Sequence, residues 1–567
     1  MVAGGDHSLR PHPLQARALA RLGEELAGGG RGVVVMPCGA GKTLLGRWFA
    51  EQVAARLVVV CVPTLALVAQ TLLAYRCQPS WRHAAMIACS DPTSGRAVAP
   101  ADLDLPEGAR DAVVASTSTR RIREFLTGPA PGARLIVSTY HSAPRVAAAL
   151  RAAGRAADVL VCDEAHRLTG RPRDEFRAVL DDGALPALRR VFLTATAVEA
   201  AAWQADAGDE GEEATAPLSL DDEDTFGPPV YRAGFADAVA AGLLVDYDVE
   251  VLATRQGEGG GRQDAGGVEA VLAAAADGSA RILTFHSRVG HAAGLARALD
   301  GTMLGDGRVV RGEHVESGHR AQRRAAALER LAGTPPGVVS VLASARVLAE
   351  GVDVPAVDTV VFADPKKSAV DIVQAVGRAM RRAPGKTRGR IVLSVTLGRA
   401  GTGHDADTEL SSTAWRHVWV VLRALASMDP RFARTLRNRA RPGPGARRAH
   451  SGPGLTVDLP AGLDADRWWL RALDRTGASW WHNLDVLRSW VSEHGHARPH
   501  PGARAGGVAV GSWVARQRTM YRNGLLDCER VAALEALPGW AWTDLDTAWW
   551  QAAARWRAYH ATTPRGG

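Results

Sequence analysis

The sequence predicts two tandem α/β domains with parallel sheets, followed by a small all-α, tryptophan-rich C-terminal domain. Three observations carry this expectation. Short continuous apolar runs alternate with helical stretches in two successive series, the pattern of strands covered on both faces of a parallel sheet. At 567 residues the chain is too long for a single core. Eleven of the sixteen tryptophans fall between Trp468 and Trp556, where β-branched residues thin out.

In the first series the predicted strands are "VVVM", "LVVVCVP", "AVVAST", "RLIVSTY", "DVLVCDEA" and "RRVFLTAT". An acidic stretch of low hydropathy, "DAGDEGEEATAPLSLDDED", then reads as a solvated loop. The second series runs through "DYDVEVLA", "RILTFH", "VVSVLAS", "TVVFAD" and "RIVLSV", with a flexible insertion, "RQGEGGGRQDAGG", after its first strand. "RFARTLRNRARPGPGARR" has seven arginines and no acid, and its Pro/Gly breaker reads as a linker. Further on, "WWHNLDVLRSW" from Trp480 realigns onto "WWQAAARWRAY" from Trp549, an offset of 69 residues that suggests one helical unit and the start of a second. The expected boundaries are 1–205, an acidic loop 206–227, 228–428, an arginine-rich linker 429–464, and 465–567.

Composition narrows the function classes. The N-terminus lacks the apolar segment of a signal peptide, and no run is long enough for a membrane helix, so a cytoplasmic protein without a membrane partner is expected. Six cysteines with no C-x-x-C pair argue against a zinc site. Net charge of +8 favours a polyanionic partner. Of 68 basic residues only Lys42, Lys366, Lys367 and Lys386 are lysines, so a lysine beside Gly41 stands out against an arginine background.

"VVVMPCGAGKTLLGRWFA" runs strand, glycine-containing turn, helix, the order a phosphate cradle needs. Met36 stands where the general phosphate-loop pattern has glycine. Backbone N–H groups of Gly39, Ala40, Gly41, Lys42 and Thr43 can wrap phosphates at a helix N-terminus. The ammonium of Lys42 reaches the β- and γ-phosphates, and the Thr43 hydroxyl is suited to Mg²⁺. A second GKT, Gly385 to Thr387, precedes a strand instead and points no helix terminus at a ligand. "VLVCDEAHRL" brings Asp163 and Glu164 to a strand end, one carboxylate for Mg²⁺ and its neighbour to activate water.

This set resembles a superfamily 2 DEAD/DEAH-box helicase core of the type III restriction kind, whose loop tolerates a residue other than glycine at the position of Met36. The resemblance implies two RecA-like P-loop domains, ATP and Mg²⁺ as ligands, and roles for Lys42, Thr43, Asp163, Glu164 and His166. It places Gln15 of "LRPHPLQARAL" in an adenine-recognising segment, where its amide suits adenine N6 and N7. The family's last motif, Q-x-x-G-R-x-x-R, matches Gln374, Gly377, Arg378 and Arg381, whose guanidiniums reach the γ-phosphate. Gly351 and Asp353 fall in a motif near the ribose, and Thr194 and Thr196 in one that couples the domains. Pro63, Thr64, Gln70, Ser138, Thr139, Ser287 and Arg288 match strand-end segments that hold nucleic acid. The tail resembles a bacterial helicase-associated domain, with Trp490 and Trp513 as core anchors and Arg516, Gln517, Arg518, Arg522 and His496 as a face for DNA. The implied activity is that of an ATP-dependent helicase or translocase acting on DNA rather than RNA, with a protein partner in one variant. The alternatives are the motor of a restriction or defence complex that does not separate strands, and an ATP-gated clamp.

Overall fold

A computed structural model describes residues 9–77, 81–90, 113–169, 174–195, 218, 220, 222–255, 265–316, 318–319, 321–345, 357–364, 369–397, 410, 413–439, 453–460, 462–475, 478–505, 508–522, 526 and 528–543. The first sheet has eight strands: β1 (Gly30–Val35), β2 (Leu57–Val62), β3 (His83–Ala88), β4 (Val113–Ala115), β5 (Ala133–Thr139), β6 (Ala157–Cys162), β7 (Ala187–Thr194) and β8 (Pro229–Arg232). Their order is β4-β3-β5-β2-β6-β7-β1-β8, and each adjacent pair is parallel. β2 is buried at every position, as its sequence LVVVCV requires of a strand with helices on both faces. Val33, Val59, Ile136, Leu160 and Phe192 form one continuous core.

The second sheet is ordered β11-β12-β10-β13-β14-β9-β15 and is also parallel. Its strands are β9 (Asp246–Arg255), β10 (Arg281–His286), β11 (Val309–Val315), β12 (Val338–Ala345), β13 (Thr359–Phe362), β14 (Arg388–Leu397) and β15 (Gly454–Asp458). Both series therefore fold as the two parallel α/β domains the sequence led us to expect. No helix among the described residues is long and apolar enough to cross a membrane.

Two segments differ from the sequence reading. β8 lies past the expected boundary at 228 yet pairs with β1 in the first sheet. The arginine-rich stretch is not a plain linker: Pro430–Arg439 is helical, and Gly454–Asp458 adds to the second sheet beside β9. Arg431 anchors that helix through Asp429 at 2.8 Å and Asp246 at 3.2 Å, so its charge is spent locally.

The chain divides into two compact units, Met1–Thr435 with Pro444–Trp468, and Leu436–Gly443 with Trp469–Gly567. In the second unit Trp480, Leu484, Leu487, Trp513, Leu534 and Trp540 form a core. Trp513 is buried there, whereas Trp490 is half-buried and stacks on His494 at 3.6 Å. The second copy of the repeat, from Trp549, lies outside the described residues.

Candidate active site

β1 delivers the loop Met36–Gly41 to the N-terminus of helix Lys42–Gln52, with the backbone at Gly41 left-handed (φ 70°, ψ 37°). A Cβ there would also displace the Gln15 amide from the Gly41 carbonyl, but it is the left-handed conformation that demands glycine. The loop is braced from outside. Gln15 Nε2 donates to the Gly41 carbonyl at 3.0 Å, while His12 Nε2 lies 3.0 Å from the Ala40 carbonyl. Gln15 Oε1 accepts from the His12 N–H at 3.0 Å. Gln15 thus shapes the loop in addition to any contact with a base, a role the sequence did not announce.

Lys42 is buried and folds back over the loop, donating to the Met36 carbonyl at 3.2 Å and the Pro37 carbonyl at 3.5 Å. Burial works against its charge, but attraction to Cys38, Glu164 and Asp163 outweighs it and raises the ammonium pKa. β6 ends at Cys162, which places Asp163 directly opposite the loop. Thr43 Oγ1 donates to Asp163 Oδ2 at 3.2 Å. Burial, and then the neighbouring Glu164, push the Asp163 carboxyl up to about 6, against the pull of Lys42. Glu164 adopts the left-handed conformation (φ 51°, ψ 48°), which costs a non-glycine residue roughly 1–2 kcal/mol. Its Oε2 lies 3.4 Å from His166 Nδ1, and that nitrogen lies 3.5 Å from Thr194 Oγ1, linking the ends of β6 and β7.

The second sheet contributes helix Ala369–Ala379. A Cβ on its Gly377 would stand 3.0 Å from Cys38 Cβ, and one on Gly39 would stand 3.5 Å from Arg381 Nε. Arg378, whose charge is felt at Cys38, is buried, and Gln374, also buried, lies one turn earlier on the same helix. Burial, partly offset by Cys38, lowers the Arg381 pKa, yet a guanidinium keeps its charge. Gln374 Oε1 is buried without a hydrogen-bond partner among the described residues. The structure therefore brings together Gln15, Gly39, Ala40, Gly41, Lys42, Thr43, Asp163, Glu164, His166, Thr194, Gln374, Arg378 and Arg381. Thr196, Gly351 and Asp353 lie outside the described residues.

The donor set fits magnesium and a triphosphate. A hydroxyl and a carboxylate at hydrogen-bond distance are the hard oxygens Mg²⁺ takes, and a buried carboxyl held near 6 gains from a cation beside it. Around it stand an ammonium and two guanidiniums with no matching excess of acid, which suits a polyanion.

Strand-end residues divide into exposed and committed groups. Gln70 and Arg288 are exposed, and Pro63 is half-buried. Thr64 Oγ1 caps the following helix by accepting from Leu67 N at 3.4 Å. Thr139 is buried, and its Oγ1 has no hydrogen-bond partner among the described residues. Ser138, expected to hold nucleic acid, is fully buried and donates to the Ala88 carbonyl at 2.8 Å, bracing β5 on β3. Ser287 is tied to Asp364 Oδ2 through its N–H at 3.2 Å and its hydroxyl at 3.3 Å. Although burial opposes it, hydrogen bonds from His286 and His291 hold the Asp364 carboxyl well below the usual range.

In the C-terminal unit Arg516 and Arg522 are exposed and His496 is half-buried. Gln517 is not on that face: it is buried and accepts from Trp480 Nε1 at 2.7 Å. Arg518 is half-committed as well, donating to the Ala541 carbonyl at 2.8 Å and lying 5.9 Å from the Trp540 ring centroid.

Residues 8–199 match the family model "Type III restriction enzyme, res subunit", residues 271–383 "Helicase conserved C-terminal domain", and residues 477–543 "Helicase associated domain". A curated relative, "Probable helicase A859L" of African swine fever virus (isolate Pig/Kenya/KEN-50/1950), is 25% identical over 443 residues, covering 75% of this chain and 45% of the viral protein. The chain thus spans about half the length of the curated relatives it matches. Among solved structures, the "ATP-dependent Type ISP restriction-modification enzyme LlaBIII bound to DNA" shares the fold with a TM-score of 0.64 at 22% identity, over 94% of this chain and 38% of that one. A nuclease-deletion mutant of the Type ISP enzyme LlaGI, in complex with a DNA substrate mimic, gives 0.55 at 22% identity, over 91% and 34%.

Proposed function

We propose that this chain, a superfamily 2 helicase by the three domains it carries, is a motor that hydrolyses ATP to ADP and phosphate and so moves along DNA. The observation that carries this reading is the meeting of two halves. Gly377 of the arginine helix approaches Cys38 of the phosphate loop so closely that Lys42, Asp163 and Glu164 share one cluster with Arg378 and Arg381. Neither sheet alone supplies both the phosphate cradle and the guanidiniums.

In the proposed reaction the loop N–H groups and Lys42 bind the β- and γ-phosphates, while Gln15 takes adenine and Gly351 and Asp353 lie by the ribose. Thr43 and Asp163 would hold Mg²⁺, which when bound offsets phosphate charge. Glu164 accepts a proton from the water that attacks the γ-phosphorus as the bond to the β-phosphate oxygen breaks. Arg378 and Arg381 stabilise charge on the γ-oxygens. His166 and Thr194 pass the change to the neighbouring strand, and Gln374 orients the attacking group. Pro63, Thr64, Gln70, Ser287 and Arg288 line the backbone track, and Arg516 offers a cation for DNA on the helicase-associated unit taken by itself.

DNA is favoured over RNA by the helicase-associated domain and by the fold shared with enzymes solved on DNA. That likeness to restriction-modification enzymes also favours a second reading, translocation along duplex DNA without strand separation. The test is steady-state ATP hydrolysis with single-stranded, duplex and forked DNA and with RNA, alongside strand-separation and triplex-displacement assays. Stimulation by DNA with displacement supports the motor. Equal rates with every nucleic acid and with none would leave the ATP-gated clamp. Glu164→Gln is expected to retain nucleotide binding and lose turnover by about 10²–10⁴-fold. Wild-type turnover in that variant would show that the base is another residue.

A further inference from the structure

Tyr140 has no part in the reaction above, yet it touches the one peptide bond on which both acidic groups hang. It opens the 3₁₀ turn Tyr140–Ser142, immediately after β5, next to Ser138 and Thr139 at the strand end. Its ring is fully buried and lies 5.4 Å from that of Phe176. β2 lies between β5 and β6, and the tyrosine side chain is long enough to cross it. Its hydroxyl donates to the main-chain carbonyl of Asp163 at 2.6 Å.

That bond completes the fixing of Asp163. Its N–H donates to the Cys61 carbonyl at 2.9 Å, Oδ1 accepts from the Glu164 N–H at 2.9 Å, and Oδ2 accepts from Thr43 at 3.2 Å. The carbonyl is the remaining polar group, and it belongs to the peptide that leads into Glu164. Since Glu164 sits at φ 51°, outside the preferred regions, this peptide plane must be held against relaxation. Burial pushes the Tyr140 phenol well above its ordinary range.

We infer that Tyr140 is a positioning residue: its hydroxyl locks the Asp163–Glu164 peptide in the conformation that aims the metal-holding and water-activating carboxylates, and ties that peptide to the end of β5. The inference rests on the ATPase reading above.

The test is Tyr140→Phe in the full-length chain, which keeps the ring against Phe176 and removes only the donor. Three quantities are measured: kcat and KM for ATP with and without linear duplex DNA, the Mg²⁺ dependence of binding of a fluorescent ADP analogue, and the thermal midpoint. The expected result is a fall in DNA-stimulated kcat on the order of tenfold to a hundredfold, with KM for ATP changed less than about twofold. The Mg²⁺ needed for half-maximal analogue binding should rise several-fold, while binding without Mg²⁺ is unaltered. A variant that merely loses stability would melt lower but keep kcat per folded molecule and its Mg²⁺ dependence, and that outcome overturns the inference. If the wild type shows no ATP hydrolysis, the motor reading fails on its own, and an unchanged or altered Mg²⁺ dependence still decides the role of Tyr140.

Discussion

The chain contains the tripeptide Gly-Lys-Thr twice, and the two copies behave in opposite ways. At Gly41–Thr43 the lysine opens a helix after a parallel strand, so the N–H groups of that helix point where the strand ends. At Gly385–Thr387 the lysine lies in a turn between helix Ala369–Ala379 and β14, and the chain enters the strand from its N-terminal end. Lys42 is surrounded by Cys38, Glu164 and Asp163, and its pKa is raised despite burial. For Lys386 burial prevails over the nearby Asp358 and lowers the pKa to about 8. Its ammonium donates to the Val357 carbonyl and closes a turn. A motif is therefore only as informative as the element order around it: the same three residues are placed to meet a polyanion at a helix N-terminus in one setting and staple a loop in the other.

The sharpest way to break this comparison is to remove both lysines in turn. Lys42→Ala should lower kcat/KM for ATP by about 10²–10³-fold, the usual cost of losing one charged donor at a transferring group. Lys386→Ala should leave it within about twofold. Similar losses from both would mean the second copy also serves the nucleotide. A smaller contrast is expected from the glycines, both of which have positive φ. Gly41→Ala collides with Gln15 as well, so ATP turnover should fall at least about tenfold, since small misplacements in a reacting site are amplified. Gly385→Ala meets open space and pays only for its conformation. Its expected cost is about 1–2 kcal/mol of stability with turnover intact, read as a lower thermal midpoint. Lost turnover in Gly385→Ala at a wild-type midpoint would contradict the assignment.

The same contrast explains how much the sequence disclosed. The phosphate loop and the Asp163–Glu164 pair were legible because each motif is contiguous and sits at the end of a strongly apolar strand. Strands β8, β11 and β15 were not, for they lie at or near sheet edges. PVYR is too short and begins with proline, VVRGEHV is polar and glycine-containing through its middle, and GLTVD lies beside an arginine cluster. β3, HAAMIA, is hidden by its alanines. Ser138 and Gln517 misled for a different reason, because a hydroxyl or amide in sequence does not reveal whether it faces solvent or satisfies a buried partner. The bond from Tyr140 to Asp163 was invisible because it depends on which strand lies between β5 and β6.

The smallest effect is also the one that most directly separates the two lysines, because it depends on sign rather than size. Lys386 titrates near 8 in the folded chain, against about 10.5 for an ordinary lysine. Between these values the unfolded chain holds a proton that the folded chain has released, so stability rises with pH across that window. Lys42 has the opposite shift: its contribution is complete below the ordinary value and is lost only as pH climbs past the raised one. In nucleotide-free protein, urea unfolding of wild type and Lys386→Met should therefore diverge in favour of wild type from about pH 8 to pH 10. Lys386 is half-buried, so solvent screening limits the divergence to about 1 kcal/mol. Arginines do not titrate in this range, which leaves few groups to mask the slope. A difference that stays flat with pH would show that Lys386 is charged in the folded chain at pH 10, and the loop it closes would then be held by an ion pair with Asp358 rather than by a desolvated amine.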